Sequence, residues 1–269
     1  MRLQQLAIDL GAAEGHREYV RFIILSSGRT GSNLLTTSLD SHTRTIAWGE
    51  LFRSGDMIGW DRWPYDGTSP FGQSRRLRHL HASDPESFLE SRVYRRLPLS
   101  IAAVGFKLFY PHARQGPREN VWPYMTKHTR IRIIHLKRTN RLRRHLSLRQ
   151  AESTNSWIDL EGDGGDRTAE PIRLDFEDCQ REFALQERRE REHDGLFAAH
   201  PALEVFYEDL DRDFSSEMER LQGFLGLELE ELEPITFKQS HRPLSEAIIN
   251  YSELKRSFRD SPWESFFEE

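Results

Sequence analysis

An alternation of short apolar runs with helical patterns constrains the fold of this chain more than any other feature. The runs are rich in apolar and β-branched residues, are bounded by turn signals and have the length of buried strands. They are VRFIIL (20–25), AAVGFKLF (102–109), IRIIHL (131–136) and LEVFY (203–207). Strands that alternate with helices favour crossover connections and a parallel sheet. The sequence therefore predicts a three-layer α/β/α fold with a mainly parallel central sheet.

Helical patterns occupy the segments between these runs. The segment from Asp175 to about Phe197 carries its apolar residues on one stripe, which predicts a long helix. Further along, Ser216 and Glu219 form a capping-box pattern, and Gly226 stands where a helix end favours a left-handed residue. We find no internal repeat and no break in composition, so we predict a single domain over residues 1–269.

Two stretches interrupt the alternation. Residues 53–100 are rich in aromatic residues, Gly and Pro, and we expect an insertion or lid that binds an acceptor. Residues 159–170, DLEGDGGDRTAE, come close to a calcium-binding EF-hand loop. Because Asp166 occupies a position that is normally apolar, we predict an exposed acidic loop and no metal site.

Composition excludes several classes of function. A formal net charge of -5 argues against general nucleic-acid binding, whereas local clusters of Arg and Lys favour a smaller anion. The single cysteine, Cys179, cannot form an internal disulfide and favours a reducing compartment, so we expect a cytoplasmic protein. No run reaches the roughly 18 apolar residues that a membrane span needs.

The polar turn SSGRTGSN (26–33) follows the first predicted strand and precedes a helix. Gly28 and Gly31 allow the backbone to bend tightly and to approach a ligand, and N–H groups at a helix start attract phosphate. The turn lacks the lysine of the Walker pattern, and its cation is Arg29 inside the loop. A simpler interpretation is that Ser32 caps the helix after a glycine turn.

A second basic segment, KRTNRLRRHLS (137–147), follows the third predicted strand. In an open parallel sheet, ligands collect beyond the carboxyl ends of the strands, which would place Arg29 and Arg138 at the same edge. Two cationic centres at one edge favour a ligand with two separated phosphates. The other arginines of the segment, Arg141, Arg143, Arg144 and Arg149, fit a solvated helix face.

Together these segments resemble the PAPS-dependent sulfotransferases. SSGRTGSNLL is similar to their 5′-phosphosulfate loop, with Arg29 in place of the lysine of the cytosolic enzymes, and IHLKRTNRLRRHLSLRQA is similar to their 3′-phosphate segment. The C-terminal part, from VFYEDLDRDFSSEMERLQGFLGL through FKQSHRPLSEAIINYSELKRSF, resembles bacterial carbohydrate sulfotransferases of the nodulation and trehalose type. The resemblance implies a sulfotransferase fold and transfer of a sulfuryl group from PAPS to a hydroxyl of an acceptor, most simply a carbohydrate or glycolipid.

The resemblance also implies roles for particular residues. Those that would hold the donor are Ser27, Gly28, Arg29, Thr30, Gly31, Ser32, Asn33, Arg138, Ser147, Lys238 and Arg242. The spacing from Arg138 to Ser147 is nine residues, one more than in the cytosolic enzymes, which either Lys137 in place of Arg138 or a shifted helix start would accommodate. Lys238 and Arg242 could instead form surface pairs with Glu246. Leu34 stands where those enzymes have an aromatic residue, which leaves the adenine contacts unassigned.

The catalytic assignments are Arg29 for the leaving phosphate, Glu50 as the first choice for the base, His112 as its rival, and Lys107 for the sulfuryl oxygens. Aromatic residues cluster where an acceptor would enter, and they could equally be packing residues of the lid: Trp48, Trp60, Trp63 and Tyr65. Two other classes of function remain open: a nucleotide-dependent kinase or transferase with a degenerate P-loop, and a non-catalytic anion-binding module.

Overall fold

A computed structural model describes residues 2–55, 57–60, 73–154, 170–233 and 242–268. The strands are β1 Val20–Ser26, β2 Thr45–Trp48, β3 Ala103–Phe109, β4 Arg132–Lys137 and β5 Ala202–Phe206. The α-helices are α1 Arg2–Asp9, α2 Ser32–Ser41, α3 Arg75–Ser83, α4 Pro85–Phe88, α5 Val121–Lys127, α6 Arg141–Thr154, α7 Phe176–Leu196, α8 Tyr207–Arg212, α9 Phe214–Leu225, α10 Leu244–Ala247 and α11 Tyr251–Ser257. A π-helix, Leu89–Val93, continues α4, and 3₁₀ turns cover Gly116–Asn120 and Glu264–Phe267.

The strands form one parallel sheet in the order β2-β3-β1-β4-β5. In register, Ile24 of β1 lies between Lys107 of β3 and Ile134 of β4. The parallel α/β fold and the four predicted strands are confirmed, with boundaries that shift by one or two residues. The edge strand β2 was not predicted from the sequence. Its four residues run directly into the loop that carries Glu50.

Alternate residues of β1 face opposite layers of helix, as expected for a strand buried on both sides. Ile23 and Leu25 pack in one core cluster with the helices between residues 85 and 127, whereas Phe22 and Ile24 pack in another with α2, α8 and α9. A third cluster joins α6 and α7 to the C-terminal helices. The sheet thus lies between two helical layers, which gives the three-layer arrangement.

The order of the strands defines where a ligand can approach. After β1 the chain leaves toward β2 on one side, whereas after β4 it leaves toward β5 on the other side. A crevice opens at the carboxyl edge where neighbouring strands send their connections in opposite directions. The β1–β4 pair forms such a switch point, and the two predicted basic segments follow these two strands.

Helix ends follow local chemistry. The side chain of Asp175 caps α7 by accepting from the backbone N–H of Asp178, so the predicted long helix is confirmed. Gly226 ends α9 in the left-handed conformation, as the sequence predicts. The capping-box prediction at Ser216 is wrong, because α9 begins earlier and Asp213 accepts from the N–H of Ser216.

Candidate active site

The loop after β1 is folded tightly against the sheet. Arg29 has a φ of 68°, a left-handed conformation that is uncommon outside glycine, and Gly31 follows with a φ of 83°. The hydroxyl of Thr30 donates to the carbonyl of Ser27 at 2.9 Å, and both residues are buried. A strained arginine inside such a turn indicates a functional constraint, because glycine would adopt this backbone at less cost.

The start of α2 supplies backbone donors at the same place. Gly31 is the N-cap, and no side chain among the described residues caps the helix, so Ser32 does not serve as the cap that the simpler interpretation expects. The first-turn N–H groups lack intrahelical partners, and the helix dipole adds a partial positive charge there. These donors form a suitable cradle for an anion.

Tyr207, at the start of α8, packs against Gly31 in this cradle. A Cβ atom built on Gly31 would lie 2.5 Å from Cδ2 of Tyr207, so glycine is required for the close approach. The guanidinium of Arg138 stacks over the Tyr207 ring at 4.4 Å. One aromatic ring therefore contacts both basic segments.

The structure brings Arg29, Arg138 and Ser147 together. Nη1 of Arg138 donates to the carbonyl oxygen of Arg29 at 3.1 Å, and Nε of Arg29 donates to Oγ of Ser147 at 2.9 Å. The nine-residue spacing is accommodated because α6 begins at Arg141, which turns Ser147 toward the loop. Lys137 does not replace Arg138, since its ammonium binds Asp194 and Glu204 on neighbouring elements.

Three arginine guanidinium groups lie close together beside the loop, those of Arg29, Arg138 and Arg144. Burial, reinforced by the guanidinium groups of Arg138 and Arg144, lowers the pKa of Arg29 to about 10. Burial also lowers the pKa of Arg138, and among the described residues its buried Nε has no hydrogen-bond partner. With a pKa of about 10, Arg29 remains charged at neutral pH, and an anion placed among these guanidinium groups would relieve their mutual repulsion.

A second polar group lies at the ends of β2 and β3, beside the loop. The ammonium of Lys107 donates to Oδ1 of Asn33 on α2 and lies 3.4 Å from Oε1 of Glu50. Nε2 of His112 lies 3.7 Å from the other carboxylate oxygen of Glu50. Gly49 holds the segment in place, because its carbonyl accepts from the backbone N–H of Lys107 at 3.1 Å. Three of the four predicted catalytic residues, Lys107, Glu50 and His112, thus form one contiguous group.

The ring of His112 has a defined tautomer. The backbone N–H of Phe109 donates to Nδ1 of His112 at 3.3 Å, so the neutral ring carries its proton on Nε2, which faces Glu50. Burial lowers the pKa of His112 to about 4, against the opposing effect of Glu50. The ring is therefore neutral at pH 7 and directs an N–H toward the carboxylate.

Comparison with known proteins identifies the family. The family model described as "Sulfotransferase family" matches residues 21–231, most of the chain. The chain belongs to the sulfotransferase family. Nodulation protein H of Rhizobium meliloti is 27% identical over 252 residues, covering 92% of this chain and 94% of that protein. Nodulation protein H of Rhizobium tropici is also 27% identical over 252 residues, with 92% of each chain covered.

The fold agrees with that of a solved sulfotransferase. The crystal structure of a sulfotransferase from Alicyclobacillus acidocaldarius has a TM-score of 0.50 and 14% identity, with 93% of this chain and 94% of that chain covered. The sulfotransferase fold expected from the sequence is confirmed. Among the described residues of this sulfotransferase, no helix has the length and hydrophobicity that a membrane crossing requires.

Aromatic residues of the sulfotransferase lie next to Glu50. The rings of Trp48 and Trp60 meet edge to face with centroids 4.9 Å apart, and Trp60 packs further against Phe88. The backbone N–H of Gly49 donates to the carbonyl of Trp60 at 3.1 Å. Both indoles are partly buried against the core, so they serve as packing residues as well as candidate acceptor contacts.

Some predicted positions fall outside the described residues: Trp63, Tyr65, Lys238 and most of the acidic segment 159–170. Arg242 is partly buried and lies just before α10, and its role in binding the donor stays an expectation. No cluster of three or more metal-ligating side chains occurs in the part of the chain that the structure describes.

Sequence reasoning missed two residues that contact the loop of the candidate site. Arg144 is buried, with 5% of its surface exposed, and contacts the loop, so the prediction of a solvated face is wrong for this arginine. The position of Arg144 three residues before Ser147 could have indicated this contact, because residues three apart lie on the same face of a helix. Tyr207 follows the last strand at the carboxyl edge, but no spacing rule shows that its ring contacts Gly31.

Proposed function

We propose that this protein transfers a sulfuryl group from PAPS to a hydroxyl of an organic acceptor, a carbohydrate or glycolipid. One observation carries the proposal: the two basic centres, Arg29 with its loop and Arg138 with Ser147, lie side by side at the switch point of a sulfotransferase sheet. A donor phosphorylated at both its 5′ and 3′ positions requires two such centres.

The residues present fit this donor. The uncapped start of α2 and the Arg29 loop suit the 5′-phosphosulfate, because backbone N–H groups and a guanidinium stabilise dispersed negative charge. Arg138 and Ser147 suit the 3′-phosphate, since the buried Nε of Arg138 has no partner in the part of the protein that the structure describes, and Ser147 offers a hydroxyl. Lys238 and Arg242 could close over the same phosphate.

Arg29 is assigned to the leaving group. When PAPS is bound, sulfuryl transfer breaks its S–O bond to the 5′-phosphate, forms an S–O bond to the acceptor oxygen, and places a growing charge on the departing phosphate. Arg29 and the loop N–H groups stabilise that charge. The guanidinium is charged at neutral pH, and no metal is needed for this role in principle.

Glu50 is assigned as the base that accepts the proton of the acceptor hydroxyl. His112 presents an N–H toward Glu50, whereas Glu50 has carboxylate lone pairs and a side chain that is 28% exposed. We therefore assign His112 to orienting the carboxylate. Lys107 lies between Asn33 and Glu50, where its ammonium could hold the oxygens of the sulfuryl group during transfer.

The aromatic residues beside Glu50 support an organic acceptor with flat apolar faces. Trp48 and Trp60 could stack on a sugar ring, and we propose that the segment 53–100 contributes to acceptor binding within a single domain. The single cysteine is buried, which fits a reducing compartment, and we propose a cytoplasmic location.

A transfer assay tests the proposal. The purified protein is incubated with PAPS and a panel of oligosaccharides and glycolipids in the presence of a metal chelator, and sulfated products are identified by mass spectrometry. We expect one acceptor class to gain a sulfate, and Arg29→Ala to lose both PAP binding and turnover. If Arg29→Ala leaves binding and turnover unchanged, the loop is not the site; magnesium-dependent ATP turnover would instead support a kinase.

A further inference from the structure

Arg144 is a buried cation that joins the β1 loop to helix α7. Its Nε donates to Oγ of Ser27 at 2.9 Å, and its Nη1 donates to Oε1 of Glu182 at 2.7 Å. The residue is 5% exposed, and its contact with Ser27 crosses 117 positions of sequence. Arginine can make both bonds at once because its guanidinium carries donors in a rigid fork.

The far end of this connection is also fixed. The amide of Gln186, one turn further along α7, donates to the same oxygen of Glu182 at 2.9 Å. Gln186 is 1% exposed, and Glu182 is partly buried. The contacts therefore run from α7 through Glu182 and Arg144 to the hydroxyl of Ser27, and they hold the guanidinium in one orientation.

The direction of the hydrogen bond determines what Ser27 can do. Its oxygen accepts from Arg144, and within the described residues its hydroxyl donates to no protein atom. Ser147 is arranged in the same way, since its oxygen accepts from Nε of Arg29. Each guanidinium thus occupies a lone pair on a serine oxygen, which leaves the serine hydrogen to donate to an anionic oxygen.

We infer that Arg144 is a positioning residue for donor binding, which acts through Ser27 and is held by Glu182. The inference rests on the proposed function, because it assigns Ser27 as a donor to a phosphate or sulfate oxygen in the loop. Arg144 itself contacts the loop through the side chain of Ser27. Its loss should raise the KM for PAPS and leave the KM for the acceptor within about twofold.

A double-mutant cycle measures whether Arg144 acts through Ser27. Binding of PAP is measured by calorimetry for wild type, Arg144→Gln, Ser27→Ala and the double variant. We expect each single variant to weaken binding about tenfold and the double variant to bind within about threefold of Ser27→Ala. If Arg144→Gln weakens binding about tenfold in the Ser27→Ala background as well, Arg144 does not act through Ser27 and the inference fails.

Arg141→Gln is the matched control. Arg141 lies on the same helix and pairs with Glu190 of α7 at 2.7 Å, so its loss removes a comparable α6–α7 ion pair without touching Ser27. PAP affinity should stay within about twofold of wild type. An equal loss of affinity in both variants would show that general packing of α6 on α7 is responsible, and would overturn the inference.

A replacement variant and the wild-type measurement complete the test. If Arg144→Gln does not fold, Arg144→Lys replaces it in the cycle, since lysine keeps the charge but cannot bond Ser27 and Glu182 through a rigid fork. Wild-type binding separates the two proposals: if wild type does not bind PAP, the proposed function fails. If wild type binds PAP and Arg144→Gln or its replacement does not weaken binding, only the role of Arg144 fails.

Discussion

Replacing Gly31 by alanine tests how tightly the anion cradle is built. The new Cβ would lie 2.5 Å from Cδ2 and 3.0 Å from Cε2 of Tyr207. The ring cannot move away freely, because the guanidinium of Arg138 stacks on it at 4.4 Å. The backbone would also keep a φ of 83°, which costs a residue with a Cβ about 1–2 kcal/mol.

The structure predicts the size of the effect. Overpacking against the ring adds about 1–3 kcal/mol, so the free energy of unfolding should fall by about 2–5 kcal/mol in total. Displacement of the loop would also weaken PAP binding, because Arg29 and the first turn of α2 move with Gly31. Urea denaturation measures the first effect and calorimetry the second.

Two other glycines serve as controls for stability. Gly11 has a φ of 73°, and apart from its chain neighbours no described residue comes within 4 Å of an added Cβ, so Gly11→Ala isolates the backbone cost of about 1–2 kcal/mol. Gly28 has no left-handed φ, and apart from its chain neighbours no described residue comes within 4 Å of an added Cβ, so Gly28→Ala should change stability by less than about 1 kcal/mol. If Gly31→Ala loses no more stability than Gly11→Ala, the close approach of Tyr207 to the loop is refuted.

Three further predictions concern the base, the buried histidines and the thiol. Glu50→Gln should lower turnover by about 10²–10⁴-fold and leave PAP affinity nearly unchanged; turnover that survives this change but is lost in His112→Ala would make His112 the base. Burial lowers the pKa of His81, His112 and His135 from 6.5 to about 4. Between pH 6.5 and pH 4 the unfolded chain therefore binds more protons than the folded chain. The free energy of unfolding should fall as the pH drops from 6.5 to 4. Urea titrations at several pH values measure the slope, and a flat profile would contradict buried neutral rings. Burial raises the pKa of the Cys179 thiol to about 12, so iodoacetamide should label it only on unfolding; labelling of the native protein at the rate of a free thiol would show that the site is accessible.

The sequence predicts those parts of the fold that rest on strong local patterns. The strand around Ile23 and Ile24 is apolar on both faces, and the helix from Phe176 to Leu196 has an aspartate cap at its start. Both elements can therefore be predicted from the local sequence alone. Strand β2 is too short to show a pattern of its own, and it forms because β3 offers it a parallel partner.

Only part of the candidate site could be predicted from the sequence. The position of Arg138 and Ser147 beside Arg29 follows from the topology, because the switch point sets the loops of β1 and β4 next to each other. Burial of Arg144 depends on the carboxylate that α7 places opposite it, and charge patterns alone favour a solvated arginine. The tautomer of His112 depends on one backbone N–H, which no sequence pattern reveals.

The most direct test of the central claim compares PAP with adenosine 5′-phosphate, which lacks the 3′-phosphate. Calorimetry without metal measures both ligands on wild type, Arg138→Ala and Ser147→Ala. Two adjacent phosphate centres predict that wild type binds PAP at least about 100-fold more tightly than adenosine 5′-phosphate, and that Arg138→Ala abolishes most of this difference. Equal affinities for the two ligands, or binding that requires magnesium, would contradict a bisphosphorylated donor at this site.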